Sequence, residues 1–217
     1  MKKLKIDISL IQKAKELQAT NGACDGIGIG SDYDCDNPPV AGVDQRLILI
    51  NKADYDGATI TYDVTVTSLI TNIVLPSGTM GYAFQGVRTS LKPQSDFIPD
   101  EISVGYDHQV DFLVFDVSQT QKDNLQKMGV EKVVAVIQNM NVVGNADSIF
   151  EVFGGGVGLE LITNTRINGD QATLGVWSLS LKTSDNSGKE PKLPQSFFDT
   201  DFVTTKAKVD TLLIVSP

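Results

Sequence analysis

The chain is poor in the residue types that most chemistry requires. In 217 residues it has one histidine, two cysteines and one tryptophan, and aromatic residues make up only 7%. The lone imidazole, His108, leaves no second His for a conventional zinc set, and a Ser-His-Asp relay would have to be built on it. No serine stands in a G-x-S-x-G turn: Ser77 is followed by Gly78 but preceded by Pro76. The 27 acidic residues supply carboxylates for a glycosidase pair, yet so few aromatics make no convincing sugar-stacking groove. Neither an enzyme nor a cofactor is expected. Cys24 and Cys35 lie eleven positions apart. Reduced thiols are the expected state in a cytosolic product, with a disulfide as the alternative.

Long apolar runs are also missing. None approaches the ~18 residues of a membrane span, so no membrane partner is expected. The first residues, Met1 to Asp7, have the charge of a signal peptide, but Asp7 and Ser9 interrupt its apolar region. Synthesis and assembly in a cytosol follow as expectations. Positive charge is in deficit, with 18 basic against 27 acidic residues and a net charge of −9. Such a surface repels phosphates and excludes a nucleic-acid binder that relies on them, but not a protein that DNA slides past.

What is present is organised around Asp107 to Asn139, which reads as strand, capped helix, strand. Val110, Phe112 and Val114 alternate with Gln109, Asp111 and Leu113 at strand length. Ser118 and Gln121 have the spacing of a capping box, and Gly129 closes the helix in an expected left-handed conformation. Val130 to Ile137 follows as a β-branched run.

The expected domain organisation is an N-terminal helix and irregular acidic arm over residues 1–42, then a β-rich domain with a C-terminal extension over 43–217. Ile6 to Ala19 has apolar positions at helical spacing, among them Leu10, Ala14 and Leu17. Ala23 to Gly42 is rich in Gly and Asp; Asp32-Tyr33-Asp34-Cys35-Asp36 begins like a calcium loop, but Asn37 and Val43 stand where Gly and Glu belong. Downstream, strands are expected at Arg46–Ile50, Thr59–Thr67, Ile149–Phe153, Val157–Ile162 and Leu174–Leu181. Ile73–Leu75 and Met80–Phe84 flank Pro76-Ser77-Gly78 as a hairpin, and Gly154-Gly155-Gly156 suggests a bulged one. Thr89 to Glu101, with Pro93 and Pro99, reads as a long contact loop, and Ser184 to Pro194 as a polar linker. The tail from Phe197 fits a helix capped by Asp199 or Thr200, and an alternating strand equally well. The total predicts a mainly β, antiparallel sandwich or barrel with one flanking α-helix.

Several segments resemble virion structural proteins of tailed bacteriophages, in particular those of phages of Bacteroidota. They are Leu49-Ile50-Asn51-Lys52-Ala53-Asp54, Tyr82-Ala83-Phe84-Gln85-Gly86, His108-Gln109-Val110-Asp111-Phe112, Val134 to Asn139, Phe150 to Gly154 with Gly158-Leu159-Glu160, and Glu190-Pro191 with Leu193-Pro194. The resemblance implies a tail-tube-like fold and a subunit of a tail tube or head-to-tail connector ring. Implied partners are further copies of the chain in a ring or stacked rings, and neighbouring tail or connector proteins, with DNA passing through an acidic channel unbound. A capsid decoration or head-fibre base protein, and a carbohydrate-binding sandwich of an adhesin, are the alternatives. A ring closes by a heterologous contact between copies. The two irregular stretches are the expected contact segments, with Asp32, Tyr33, Asp34, Pro38, Pro39, Pro93, Phe97 and Pro99 as candidates.

Overall fold

The computed structural model describes residues 42–99, 104–140, 148–171, 175–183 and 188–215, so the expected N-terminal helix and the candidates Asp32, Tyr33, Asp34, Pro38 and Pro39 lie outside the described residues. Eleven strands and three short α-helices make up what is described. The strands are β1 (Val43–Asn51), β2 (Thr59–Tyr62), β3 (Ile70–Val74), β4 (Tyr82–Gln85), β5 (Lys92–Pro99), β6 (Val104–Val114), β7 (Val133–Asn139), β8 (Phe150–Phe153), β9 (Glu160–Arg166), β10 (Trp177–Lys182) and β11 (Gln195–Phe197). The helices are α1 (Lys52–Asp56), α2 (Gln119–Met128) and α3 (Phe202–Thr211).

Two sheets form. One has seven strands in the order β2-β3-β11-β8-β7-β1-β4, and the other four in the order β5-β6-β10-β9. Every pair is antiparallel except β11 with β3, so the larger sheet is mixed, and neither closes into a barrel. The expected strand-helix-strand unit is present, but its two strands belong to different sheets: β6 lies in the smaller one, β7 in the larger.

The central strands of the larger sheet are covered on both faces, which is why they read as continuous apolar runs. Leu47, Leu49, Val133, Ala135 and Ile137 face the smaller sheet and α2, packing against Val110, Phe112, Leu179, Leu181 and Leu125. On the other face, Ile48, Ile50, Val134 and Val136 pack with Ile70, Phe150, Phe197, Val209 of α3 and Leu212 just past its end. Burial at 205 and 209 in α3 and at its C-cap, 212, follows helical spacing, and the helix reading of the tail is the one realised. Its N-cap is Asp201, whose carboxylate accepts from the Thr204 N–H at 2.7 Å, in place of the expected Asp199 or Thr200. For α2 the Ser118 hydroxyl oxygen accepts from the Gln121 N–H at 3.3 Å as expected. Gly129, at φ −71°, ends that helix in a right-handed conformation, because the last carbonyls already accept its N–H and those of Val130 and Glu131.

Several local expectations are corrected by pairing over long range. Strands β3 and β4 are no hairpin: β3 lies beside β2 and β11, and β4 is the opposite edge of the sheet. The Pro76–Thr79 turn does form, with the Thr79 N–H donating to the Pro76 carbonyl at 3.1 Å, but it redirects the chain away from its predecessor. Strand β2 stops at Tyr62 because the Asp63 carboxylate accepts from the Thr65 and Val66 N–H groups, both at 2.8 Å, and curls the backbone into a turn. Likewise β8 and β9 enter different sheets, so the triple glycine is a crossover and not a bulged hairpin. Thr89 to Pro99, the described part of the stretch Thr89 to Glu101, holds the end of a short 3-10 turn (Arg88–Ser90) and the whole of β5 where a loop was expected. Prolines are tolerated in β5 because it is an edge strand.

Phe197 joins the two halves of the larger sheet and is fully buried at 0% exposure. Phe197→Ala is expected to cost about 3–5 kcal/mol, read as a lowered urea midpoint.

Candidate oligomer interface

Strands β5 and β6 form a hairpin whose base is part of the smaller sheet and whose far end overhangs it. Along β6, Gln109 to Val114 pairs with β10 on one side, and Gln109 to Asp111 also pairs with β5 on the other. Beyond Gln109 the ladder continues on the β5 side alone, from Ser95↔His108 out to Pro99↔Val104. The other side is held by the Thr183 N–H, which donates to the His108 carbonyl at 2.9 Å, and by a bridge in which Tyr106 and Glu190 exchange N–H···O bonds, each of 2.9 Å.

Side chains alternate between the two faces of a strand. The core-facing set on β6 is Val110, Phe112 and Val114, so Tyr106 and Val104 project from that same face. Opposite them in register are Phe97 and Pro99. This is the face that elsewhere packs on the larger sheet. Past the sheet's end Phe97 is 56% exposed and Val104 69%, and the Phe97 and Tyr106 rings meet edge-on, at 5.9 Å between centroids. The result is an apolar overhang on a core-type face, next to the main-chain edge of β5, which pairs with no further strand among the described residues. Pro93 sits further in, half-buried, and lines a cleft of about 650 Å³ with Phe153, Leu193 and Glu151. Of the expected contact residues, Phe97 and Pro99 are thus brought together and Pro93 is set apart. Val104 and Tyr106 belong with the first two; period-2 reading of β6 was the signal for them, and only the register with β5 completes the patch.

The overhang is anchored by a buried polar knot that sequence reasoning passed over as a linker. Glu190 is 2% exposed. Its carboxylate accepts three main-chain N–H bonds, from Gly156 at 2.9 Å, Val157 at 2.8 Å and Gly158 at 3.1 Å. A side chain at 156 would put its Cβ 2.5 Å from Glu190 Oε2 and 2.8 Å from Pro191 Cδ, so only glycine lets the carboxylate in. His108 holds the start of the same loop: its Nδ1 accepts from the Gly154 N–H at 3.1 Å, and its ring stands edge-on to Phe153. Gly154, at φ +75°, takes a conformation that favours glycine. Asp107 is paired with Lys189 at 3.1 Å and Lys182 at 3.3 Å.

No protein-family model, curated protein or solved structure matches this chain.

Electrostatics agree with a structural part for the knot. Burial pushes the His108 imidazole below its ordinary value; Glu190, the Lys192 backbone and Asp107 pull upward without cancelling it. Its Nδ1 is already an acceptor, so protonation there would break the bond to Gly154. For Asp107 burial works upward, but the two lysines outweigh it and hold the carboxyl below the usual range. Among the described residues no group of three His, Cys, Asp or Glu is placed to hold a metal ion.

Two tests follow from the knot. Glu190→Gln keeps the shape and removes the charge, and is expected to cost about 1.5–3 kcal/mol in urea unfolding. Between pH 7 and pH 5 stability is expected to fall, because the unfolded chain protonates His108 near the ordinary 6.5 and the folded chain resists it. Glu151, raised by burial, acts in the opposite sense toward the acid end, since its folded form takes the proton more readily. Comparison with His108→Gln isolates the imidazole: the variant's stability should depend less steeply on pH, and equal slopes would refute this account.

Proposed function

We propose that this chain is a structural subunit of a tailed-phage particle, a ring-forming component of the tail tube or of the connector between head and tail. The observation that carries the reading is the overhang of Phe97, Pro99, Val104 and Tyr106 beside the open edge of β5. An exposed strand edge offers unpaired main-chain donors and acceptors, and monomeric proteins usually blunt such edges. Here the edge carries an apolar patch on the face that packs against a sheet everywhere else. A second copy laying a sheet edge or loop there would satisfy both. With a different surface of the next copy laid on the patch, the contact is heterologous and propagates to a ring when the rotation closes.

The outward face of the smaller sheet suits a channel wall. Register places Gln94, Gln109 and Lys182 in one row, Lys92, Asp111, Ser180 and Thr163 in the next, and Leu113, Ser178 and Thr165 in a third. Hydroxyls, amides and charges of both signs alternate, with no cluster of cations to hold phosphates by counterion release. Together with the net charge of −9, this supports passage of DNA without binding. Trp177 offers an adhesin no sugar platform, since it packs against the core and the Arg166 guanidinium lies 5.6 Å from its ring centre.

Negative-stain microscopy and sedimentation of the purified chain at rising concentration test the proposal. Rings or stacked rings are expected, and Phe97→Lys should abolish them with little change in unfolding temperature, because the side chain is exposed. A wild-type chain that stays monomeric throughout, or a variant that assembles equally well, would overturn it.

A further inference from the structure

A second cleft, of about 940 Å³, opens between the outer edge of β4 and helix α2. Residues 80–85 line one side without a break, and 113–116, at the end of β6 and beyond, line another. Main-chain direction along β4 follows from two bonds. The Gly86 N–H donates to the Gln45 carbonyl at 2.7 Å, so Phe84 and Tyr82, at alternate positions, also turn their main-chain groups toward β1. The Gly81 N–H points the opposite way and is taken by the Leu212 carbonyl at 2.6 Å. Ala83 and Gln85 share that outward direction, and each brings one N–H and one C=O. No further strand pairs with them among the described residues.

The facing wall leaves a donor unused as well. A complete capping box on α2 would send the Gln121 side chain back to the Ser118 N–H. The Asp116 carboxylate has taken that N–H, at 2.8 Å, and Gln121 lines the cleft instead. Its side-chain nitrogen is buried and has no hydrogen-bond partner among the described residues. Phe84 and Met128 are apolar parts of the lining, and its charged residues are Asp54, Asp116 and Glu131 against Lys127. Such a lining suits a cationic guest and disfavours an acidic one. The other outermost strands of the two sheets lack that character: β2 has no charged residue, β5 has Lys92 against Asp96, and β9 has Arg166 against Glu160. Charge thus selects a different polypeptide over the sheet edges of a second copy.

We propose that the cleft between β4 and α2 receives an extended, basic segment of another protein, which adds a strand to β4. Its main chain pairs with Ala83 and Gln85, and one of its oxygens accepts from the Gln121 amide. Apolar side chains of the segment cover Phe84 and Met128, while lysines or arginines between them meet the acidic lining. Strand addition divides the work of recognition: main-chain bonds give affinity, and the surroundings of alternate side chains give specificity. The site is independent of ring formation, since a single molecule presents it whole.

The test uses the full-length chain and a yeast-displayed library of random peptides of about twelve residues. Enriched peptides are expected to carry more lysine and arginine than aspartate and glutamate, with apolar residues between them. Binding of one such synthetic peptide, followed by fluorescence anisotropy, should weaken about tenfold in Ala83→Pro, which removes an outward N–H and leaves the bonds to β1 in place. The double substitution Asp54→Lys with Glu131→Lys should turn the selection toward acidic peptides, with circular dichroism confirming that both variants are folded. In the wild-type chain, hydrogen exchange at the Ala83 and Gln85 amides, followed by NMR, should slow when the peptide binds. Phe97→Lys should bind like wild type, which separates this site from the proposed contact between copies. Failure to enrich any peptide, selections that are acidic or indifferent to the charge reversal, or protection confined to another edge would overturn the proposal.

Discussion

A carboxylate with three main-chain donors around it ties the two sheets to one another. Glu190 follows β10, the second-to-last strand of the smaller sheet, and its side chain is enclosed by the loop that carries the chain from β8 in the larger sheet to β9 in the smaller. The backbone of the same residue bridges to Tyr106 on β6. One residue therefore meets a strand through its main chain and a crossover through its side chain. Charge-assisted bonds of this kind are roughly twice as strong as neutral ones, and the buried carboxylate has no water to fall back on. The position of the overhanging hairpin, and with it the apolar patch proposed as the contact between copies, is set from this point.

Sequence made some of this legible and hid the rest for identifiable reasons. The runs Leu47–Ile50 and Val133–Ile137 announced themselves because burial on both faces removes every polar residue from them. Ser118 announced α2 because capping is decided within three residues. Partnership was not legible. Pro76-Ser77-Gly78 is a genuine turn, yet nothing local tells whether the strands it joins will pair, and here they lie at opposite ends of one sheet. Strand β5 was hidden by its own prolines, which an edge tolerates and an interior strand does not. Its alternation of exposed Lys92, Gln94 and Asp96 with half-buried Pro93 and Ser95 becomes visible only once the strand is known. Glu190 stood in a polar, proline-containing stretch with no sign that its partners were glycines more than thirty positions earlier.

The proposed role as a repeated subunit and the cleft beside β4 share a physical theme. In both places the fold stops short of covering an apolar surface next to an open strand edge, and in both a strand edge leaves main-chain groups available. Such incompleteness is costly in a solitary molecule and useful in one that is finished by its neighbours. The outward face of the smaller sheet, rich in hydroxyls and amides, has the opposite character and needs nothing to cover it.

Strand β11 has a consequence for the order in which this molecule is made. Its three residues, Gln195–Phe197, lie between β3 and β8, although β3 is synthesised more than a hundred residues earlier. The β2-β3 pair consequently has no place in the sheet while the ribosome is still translating the middle of the chain. It must wait, with Ile70 and Ile73 uncovered, until the C-terminal part emerges and is inserted. Contacts of such separation slow folding, and the interval is a period of vulnerability to proteases and chaperone capture that ends only when β11 has left the exit tunnel.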